Sequence, residues 1–344
     1  MLRLSTIIVS YNVRDLLRDC LRSVFASAAH SADWLHVDMI VVDNASHDGS
    51  AEMVAAEFPQ VTLIASETNL GFTGGNNRAL AELGMADCER RGAMQSPVPN
   101  PQSPDFVLLL NPDTELVDDA LGQMVRCLME RPRWSVWRAA TLRQWTVPTR
   151  RVSVPVSGAG GVGRAAVGRD PRCAALFAAL AGQHAERTLS PIDLAGDLPF
   201  PVDFVLGAAL MVRTEAIRQV GLLDDGYFMY CEEMDWCLRL QQAGWAVYAA
   251  PSALVIHHEG QSSKQVRWAT LQRIWRSRFR FYHKHGDRYP GWYVHAVRVL
   301  VWAGLSARGR LARRRFARGE INGAALGDEL STYAQILKKS AEKC

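Results

Sequence analysis

The fold of this chain is decided by the stretch Leu108-Leu109-Leu110-Asn111-Pro112-Asp113-Thr114-Glu115. The apolar run 106–110 predicts a buried strand of a parallel sheet, because strands covered on both faces are continuously hydrophobic. In open α/β sheets, ligands bind just beyond the carboxyl ends of the strands. Asp113 would therefore lie at a ligand site, where a carboxylate suits a divalent cation that bridges two phosphates. Taken alone, the tripeptide 111–113 is more typical of a simple turn.

The surrounding sequence alternates between strand and helix patterns. β-Branched runs at 6–10 and 39–42 precede amphipathic segments, and a glycine-rich turn at 69–77 precedes a predicted helix at 77–85. This alternation predicts a doubly wound, mainly parallel α/β sheet. Because the carboxyl ends of parallel strands share one edge of a sheet, polar clusters at strand ends are expected to form one site. Four such clusters occur, namely Ser10-Tyr11-Asn12, Asp43-Asn44-Ala45-Ser46, Asn111-Pro112-Asp113 and His257-His258.

These clusters contain candidate ligands for a cation and a nucleotide. His257 could coordinate the same cation as Asp113, since neutral imidazole binds Mn²⁺-like ions; a structural histidine is the alternative. Asp43 could accept hydrogen bonds from a pyrimidine N–H or a ribose hydroxyl, or it could cap a turn. The segment 69–77 permits close backbone approach to a base or diphosphate. It is not GxGxxG, and GxxxxGK[ST] does not occur, so neither a Rossmann dinucleotide site nor a P-loop is supported.

Three acids, Glu232, Glu233 and Asp235, open a predicted helix. Acids at this position complement the helix dipole. One of them could also deprotonate an acceptor hydroxyl as general base. The next residue, Trp236, could stack on the apolar face of a sugar ring or belong to the core.

The composition is that of an ordinary globular protein. The chain has 344 residues, 48% apolar and 22% charged, with a formal charge of +4. This mild charge indicates no nucleic-acid partner. Seven cysteines without a CxxC motif indicate neither a disulfide framework nor a zinc knuckle. The strand pattern begins at the N-terminus and no apolar run approaches the ~20 residues of a spanning helix, so we predict a cytoplasmic protein without a signal peptide.

Positive charge is concentrated near the C-terminus. Residues 264–318 contain fifteen Lys or Arg and one acid, Asp287. Arginines are interleaved with aromatic residues at 267–285, and the apolar segment 292–305 is interrupted by two basic residues. This pattern favours a helix lying on an anionic membrane. A solvated helical tail that packs on the catalytic domain or on a second subunit is the alternative.

Seven ordered motifs resemble those of the family 2 glycosyltransferases, and more narrowly the rhamnosyltransferase-like branch that builds bacterial cell-surface glycans. They cover residues 4–130 and 202–285, and they are TIIVSYN at 6–12, VVDNASHDGS at 41–50, NLGF at 69–72, GNN at 75–77, LLLNPDTE at 108–115, GLLD at 221–224 and GQSS at 260–263. The resemblance implies a GT-A fold, a nucleotide-diphosphate sugar donor and inversion at the anomeric carbon by direct displacement.

By position, the resemblance also implies residue roles. Asp113 would be the metal-binding Asp of the family's DxD, with His257 as the later ligand of Mn²⁺ or Mg²⁺. Glu233 would be the catalytic base, in an acid pair with Glu232 where the family usually has Glu-Asp. From their own place at the helix start, and not from the resemblance, Asp235 and Trp236 are expected to face the acceptor. Asp43 would contact the nucleobase, and the other residues around the donor would be Ser10, Asn12, Asn44, Ser46, Asn69, Gly71, Asn76 and Asn111.

We therefore predict an inverting glycosyltransferase that moves a sugar such as rhamnose to a glycan or lipid-linked glycan in cell-surface polysaccharide synthesis. Its partners would be the nucleotide sugar, the acceptor and, through 264–318, the inner face of the cell membrane; an oligomer is compatible with the sequence. Two alternatives stay open. One is a catalytically silent nucleotide-sugar-binding subunit of a glycan assembly complex, and the other is a nucleotidyltransferase.

The predicted domain organisation has two parts. Residues 1–262 would form the GT-A catalytic domain, and residues 263–344 a basic helical C-terminal extension. Within the catalytic domain, 4–130 would be the nucleotide-binding half, 131–200 a poorly readable insert and 201–262 the acceptor half.

Overall fold

The structure, a computed structural model, describes residues 1–85, 103–131, 134–143, 199–258 and 267–341. The chain divides into two compact units. The described residues of the first unit are those up to 228 together with 232–258, and those of the second are 229–231 and 267–341. Most of the predicted insert and the motif at 260–263 lie outside the described residues.

One mixed sheet forms the centre of the first unit. Its order is β3-β2-β1-β4-β8-β6-β9-β5, with β7 paired to β9. The strands are β1 (Leu2–Ser10), β2 (Leu35–Asp43), β3 (Thr62–Ala65), β4 (Phe106–Leu110), β5 (Thr114–Leu116), β6 (Trp134–Arg143), β7 (Phe200–Pro201), β8 (Ala209–Arg213) and β9 (Ala246–His257). The pairs among β3, β2, β1 and β4 are parallel, whereas β8 runs antiparallel to β4. This arrangement confirms the predicted mixed α/β sheet.

Helices cover both faces of the sheet. They are α1 (Arg14–Ala29), α2 (Ser50–Glu57), α3 (Gly71–Glu82), α4 (Ala120–Met129), α5 (Thr214–Val220) and α6 (Glu232–Gln242). Alternate residues of β4 belong to two hydrophobic clusters, with Leu108 and Leu110 in one and Val107 and Leu109 in the other. Every residue of β4 is at most 1% exposed. Burial on both faces, worth roughly 2 kcal/mol for each leucine, explains the continuous apolar run.

The glycine-rich segment is helical, which corrects the predicted turn. Helix α3 begins at Gly71 rather than at residue 77. A Cβ atom on Gly75 would lie 2.7 Å from Val9 Cγ1, closer than real Cβ contacts. Gly75 therefore allows the helix to pack closely on β1. Composition alone cannot tell a glycine needed for close packing from one needed for a turn.

The described residues 267–341 of the second unit form three helices, in agreement with the predicted helical C-terminal region. They are α7 (Arg267–Lys284), α8 (Gly291–Ala317) and α9 (Gly323–Ala341). Aromatic rings connect α7 to the chain that follows, with ring centroids of Tyr282 and Tyr293 5.6 Å apart. Within the described ranges, no helix is long and apolar enough to cross a membrane.

Candidate active site

The ends of β1 and β2 lie level and carry buried polar groups. Ser10 and Asp43 are register partners, and the Asn44 N–H donates to the Ser10 carbonyl at 2.9 Å. Asp43 Oδ2 accepts a hydrogen bond from the Ser46 N–H at 3.0 Å. Asp43 Oδ1 and Ser10 Oγ are buried and have no hydrogen-bond partner among the described residues. Because an unsatisfied buried polar atom costs ~1–3 kcal/mol, this edge is suited to a ligand that donates and accepts hydrogen bonds.

Asn12 and Ser46 join the two loops that follow these strands. The Asn12 N–H donates to Ser46 Oγ at 3.0 Å, and Asn12 Oδ1 accepts from the His47 N–H at 2.8 Å. Asn12 and Ala45 both have left-handed backbones, with φ of 52° and 60°. Such conformations are uncommon outside glycine and are concentrated at functional sites.

Three residues predicted to contact the nucleotide, Asn44, Asn69 and Asn76, form hydrogen bonds within the protein. Asn44 Nδ2 donates to the Gly71 carbonyl at 2.9 Å, and Asn69 Oδ1 accepts from the Gly71 N–H at 2.9 Å. Asn76 Nδ2 donates to the Phe72 carbonyl at 2.8 Å. With these contacts the three amides support the segment that begins α3. Only their remaining amide atoms are available to contact a bound nucleotide.

Gly71 allows a second loop to approach α3 closely. Its φ is +74°, and a Cβ there would lie 2.2 Å from the Phe228 carbonyl oxygen. That same oxygen accepts a hydrogen bond from the Phe72 N–H at 2.9 Å. Glycine is required here both for the left-handed backbone and for this contact. The contact brings the loop 221–228 beside the segment that begins α3.

Asn77, the last residue of the GNN motif, holds the same loop, which is a different role from the base or diphosphate contact that its amide suggested in the sequence. Its Nδ2 donates to the Leu223 carbonyl at 2.8 Å and to Asp225 Oδ1 at 2.6 Å. Its Oδ1 accepts from the Leu223 N–H at 3.1 Å. Asn77 and its partner Leu223 are 146 residues apart. The sequence around Asn77 shows only a polar residue in a predicted helix, and the structure is needed to show that this residue is buried against the loop.

Asp113 and His257 meet at the end of β4, as predicted from the sheet edge. Thr114 and His257 are register partners between β5 and β9. This pairing places His257 Nε2 3.1 Å from Asp113 Oδ1 and 3.4 Å from Asn111 Nδ2. Asp113 is 6% exposed. The contacts therefore join the tripeptide 111–113 to the end of β9.

A second histidine–carboxylate pair lies beside the first and was missed by sequence reasoning. His258 Nε2 is 2.6 Å from Glu115 Oε1, and the His258 N–H donates to the Asp113 carbonyl at 2.9 Å. The pair connects β5 to the end of β9. It therefore restricts the backbone on which His257 is carried.

The donor atoms of Asp113 and His257 fit a divalent cation. A carboxylate oxygen with an imidazole nitrogen suits Mn²⁺ better than ions that need oxygen alone. Within the part of the chain that is described, no group of three or more His, Cys, Asp or Glu side chains could hold a metal. A cation here would consequently take its remaining ligands from water or from a bound diphosphate.

Glu233 has the properties of a proton acceptor. Its Oε2 atom is buried and has no hydrogen-bond partner among the described residues. Burial raises the pKa of Glu233 from 4.5 to about 7. A carboxylate with a pKa near neutrality can take a proton at physiological pH more readily than an ordinary glutamate. Glu232, the preceding acid, is 4% exposed.

Asp235 and Trp236 belong to the interior, which corrects their predicted place at the acceptor. Trp236 is 0% exposed and donates its Nε1–H to the Gly221 carbonyl at 2.9 Å, so no ring face is open to a sugar. Asp235 is also 0% exposed and accepts from Arg239 Nε at 2.9 Å. Arg239 additionally donates to the carbonyls of Val220 and Leu222, both at 2.7 Å. The two residues hold α6 on the loop that precedes it.

Comparisons with known proteins agree with this architecture. Residues 5–84 match the family model described as glycosyl transferase family 2. The chain is 29% identical to the N-acetylglucosaminyl-diphospho-decaprenol L-rhamnosyltransferase of Mycobacterium tuberculosis, over 81% of this chain and 84% of the relative. It is 42% identical to rhamnosyltransferase WbbL of Escherichia coli over a shorter segment, 20% of this chain and 27% of the relative.

A solved structure shares the fold. The mannosyltransferase PcManGT of Pyrobaculum calidifontis, solved with GDP-Man and Mn²⁺, aligns with 98% of this chain and 85% of its own length at a TM-score of 0.53. At 13% sequence identity, this likeness concerns the fold alone. The expected GT-A fold is thereby confirmed, and the family match at 5–84 together with the two relatives supports a family 2 glycosyltransferase similar to the rhamnosyltransferases.

Proposed function

We propose that this glycosyltransferase is an inverting enzyme that uses a nucleotide-diphosphate sugar. The observation that supports the proposal most is the contact of Asp113 with His257, Oδ1 to Nε2 at 3.1 Å. The contact brings an oxygen and a nitrogen donor together where a diphosphate would lie beyond the parallel strands. A bound Mn²⁺ or Mg²⁺ would neutralise charge on the departing diphosphate.

In this proposal the donor nucleotide lies along the ends of β1 and β2. Asp43 Oδ1 and Ser10 Oγ are its strongest candidate contacts, because both atoms are buried without a partner among the described residues. Asn12, Ser46, Asn69 and the other predicted donor residues shape the loops around it. Asn111 stands where the family has a carboxylate, so His257 supplies the second protein ligand of the cation.

Glu233 is the proposed base. As the acceptor oxygen forms its bond to the anomeric carbon, the bond from that carbon to the diphosphate oxygen breaks and the acceptor proton passes to Glu233. The pKa of about 7 leaves a sizeable fraction of Glu233 deprotonated at neutral pH. Displacement from the face opposite the leaving group inverts the anomeric configuration. Glu232 is the alternative base.

The relatives' names suggest the substrates. Two of them are named as rhamnosyltransferases, and one name includes a diphospho-decaprenol-linked sugar. We accordingly propose a deoxyhexose such as rhamnose as donor sugar and a glycan or lipid-linked glycan as acceptor, in cell-surface polysaccharide synthesis. An acceptor of that kind would place the enzyme at the inner face of the cell membrane, in contact through 264–318. The division into a catalytic domain to residue 262 and a basic extension belongs to the same proposal.

The test is a panel of nucleotide sugars incubated with the full chain and Mn²⁺ or Mg²⁺. A transferase should release nucleoside diphosphate slowly from its donor, and faster with its acceptor. Release of sugar phosphate and nucleoside triphosphate on addition of pyrophosphate would identify a nucleotidyltransferase instead. Donor binding without any release would identify a silent subunit.

A cation titration tests the proposed ligands independently of turnover. Mn²⁺ binding in the presence of nucleoside diphosphate, followed by electron paramagnetic resonance, should weaken at least about tenfold in Asp113→Asn and His257→Ala. Asp19→Asn changes an exposed aspartate of α1 and provides the matched control. Unchanged Mn²⁺ affinity in both site variants would contradict the assignment.

A further inference from the structure

The aromatic residues of the basic C-terminal region fall into two sets that differ in exposure. Most of those of α7 are buried, with Trp275 and Phe279 each 2% exposed and Phe281 4%. On α8, Tyr293 is buried at 8% exposed, whereas the two tryptophans are open to solvent, with Trp292 69% and Trp302 59% exposed. The aromatic pattern of α7 is therefore explained by packing, whereas the two tryptophans of α8 are not.

Helix α8 has distinct buried and exposed sides. Its buried side consists of valines and a leucine that are at most 4% exposed, namely Val294, Val297, Val301 and Leu305. On the exposed side, Val299 is 49% exposed and lies between the two tryptophans on the helix surface. The helix has 27 residues, so it is ~40 Å long at 1.5 Å per residue.

The same side carries positive charge further along the helix. Arg310 follows Trp292 by 18 residues, about five turns, and therefore points in the same direction. Arg313 and Arg314 are exposed on either side of it. No acidic residue occurs in α8. Among the described residues, ion pairs are formed by Arg315 and Arg318 with Glu320 or Glu329, but by none of the arginines at 310, 313 and 314.

We propose that the α8 face, defined as Trp292, Val299, Trp302, Arg310, Arg313 and Arg314, binds an anionic lipid surface. Tryptophan rings favour the boundary between headgroups and acyl chains. Arginines several turns away on the same side would meet lipid phosphates without a competing acid. A second copy of the chain fits less well, because its α8 face would bring no acid to these arginines. The inference rests on the membrane contact through 264–318 in the proposed function and assigns it to one face, but the vesicle test does not depend on transfer activity.

The experiment is vesicle flotation of the full chain without donor or acceptor. The vesicles are phosphatidylcholine alone, or an equimolar mixture of phosphatidylcholine and phosphatidylglycerol. The wild-type chain should bind the anionic vesicles at least about tenfold more tightly, and high salt should weaken this binding. R310E/R313E should reduce partitioning at least about tenfold, since each basic residue near an anionic surface contributes roughly fivefold. W292S/W302S should reduce it to a similar extent.

Two controls make the result specific to this face. K338E/K339E introduces the same charge change at two exposed positions of α9 and should leave partitioning unchanged. Equal losses in R310E/R313E and K338E/K339E would show attraction by net charge alone and overturn the proposal. So would wild-type partitioning in both α8 variants. Light scattering that finds a wild-type oligomer but a W292S/W302S monomer, with no vesicle binding, would assign the face to a second copy and also overturn it.

Discussion

Replacement of Glu233 by Gln should abolish transfer and at the same time stabilise the folded chain at alkaline pH. The reason lies in the burial of this carboxylate at the start of α6, which raises its pKa from 4.5 to about 7. Its Oε2 atom has no hydrogen-bond partner among the described residues that would favour the charged form. Gln has nearly the same shape and no charge to bury.

The magnitude follows from the difference between the folded and unfolded pKa values. Between pH 4.5 and about 7, the folded state binds more protons at Glu233 than the unfolded state. The free energy of unfolding therefore falls as the pH rises through this range. At ~1.4 kcal/mol for each tenfold change in proton affinity, the charged form costs about 3 kcal/mol once the pH exceeds 7. Although Oε2 is buried, Glu233 as a whole residue is partly exposed, so the expected gain in Glu233→Gln is reduced to about 2–3 kcal/mol.

The assay is urea denaturation of the wild type and the variant at about pH 5 and about pH 8, beside transfer activity. The two proteins should differ little at the lower pH, and Glu233→Gln should be the more stable at the higher pH. Glu215→Gln is the matched control, because Glu215 lies in the first turn of α5 but is exposed. Its stability should differ from wild type by less than ~0.5 kcal/mol at both pH values.

Two outcomes would refute the reasoning. A Glu233→Gln variant no more stable than wild type at about pH 8 would show that the carboxylate is not held in an unfavourable environment. Retained transfer in this variant would show that another residue acts as the base, and Glu232 would be the first to test.

Three further predictions follow from the same contacts. Gly71→Ala should cost at least about 3 kcal/mol in unfolding free energy, whereas Gly84→Ala, with the same φ of +74° but open space at Cβ, should cost only ~1–2 kcal/mol; equal losses would exclude the contact with Phe228. Asn77→Ala should lower unfolding free energy by about 2–3 kcal/mol, because two backbone groups and a carboxylate lose their partner, and wild-type urea midpoints would contradict the clamp. The value of kcat/KM should rise tenfold per pH unit below about pH 7 and level off above it, as Glu233 loses its proton; a flat profile would argue against this base.

The parallel sheet and its polar edge could be predicted because both leave local marks in the sequence. Continuous apolar runs such as Phe106–Leu110 indicate strands covered on both faces, and the register of Ser10 with Asp43 follows from parallel pairing. The approach of Asp113 to His257 was also expected, since both follow strands of one sheet. The general shape of the candidate site could thus be predicted from the positions of the strand ends alone.

Other features depend on which residues the fold brings together. Composition could not distinguish a turn from a close-packed helix at 71–77, nor a sugar platform from the core at Trp236. The Asn77 clamp joins residues 146 positions apart, and the pKa of Glu233 reflects burial that no neighbouring residue in the sequence specifies. Likewise, α7 and α8 both carry aromatic and basic residues, yet only α8 exposes its tryptophans. A sequence pattern records the preference of each residue for water or for a strand, whereas desolvation and close contact arise only when distant segments pack.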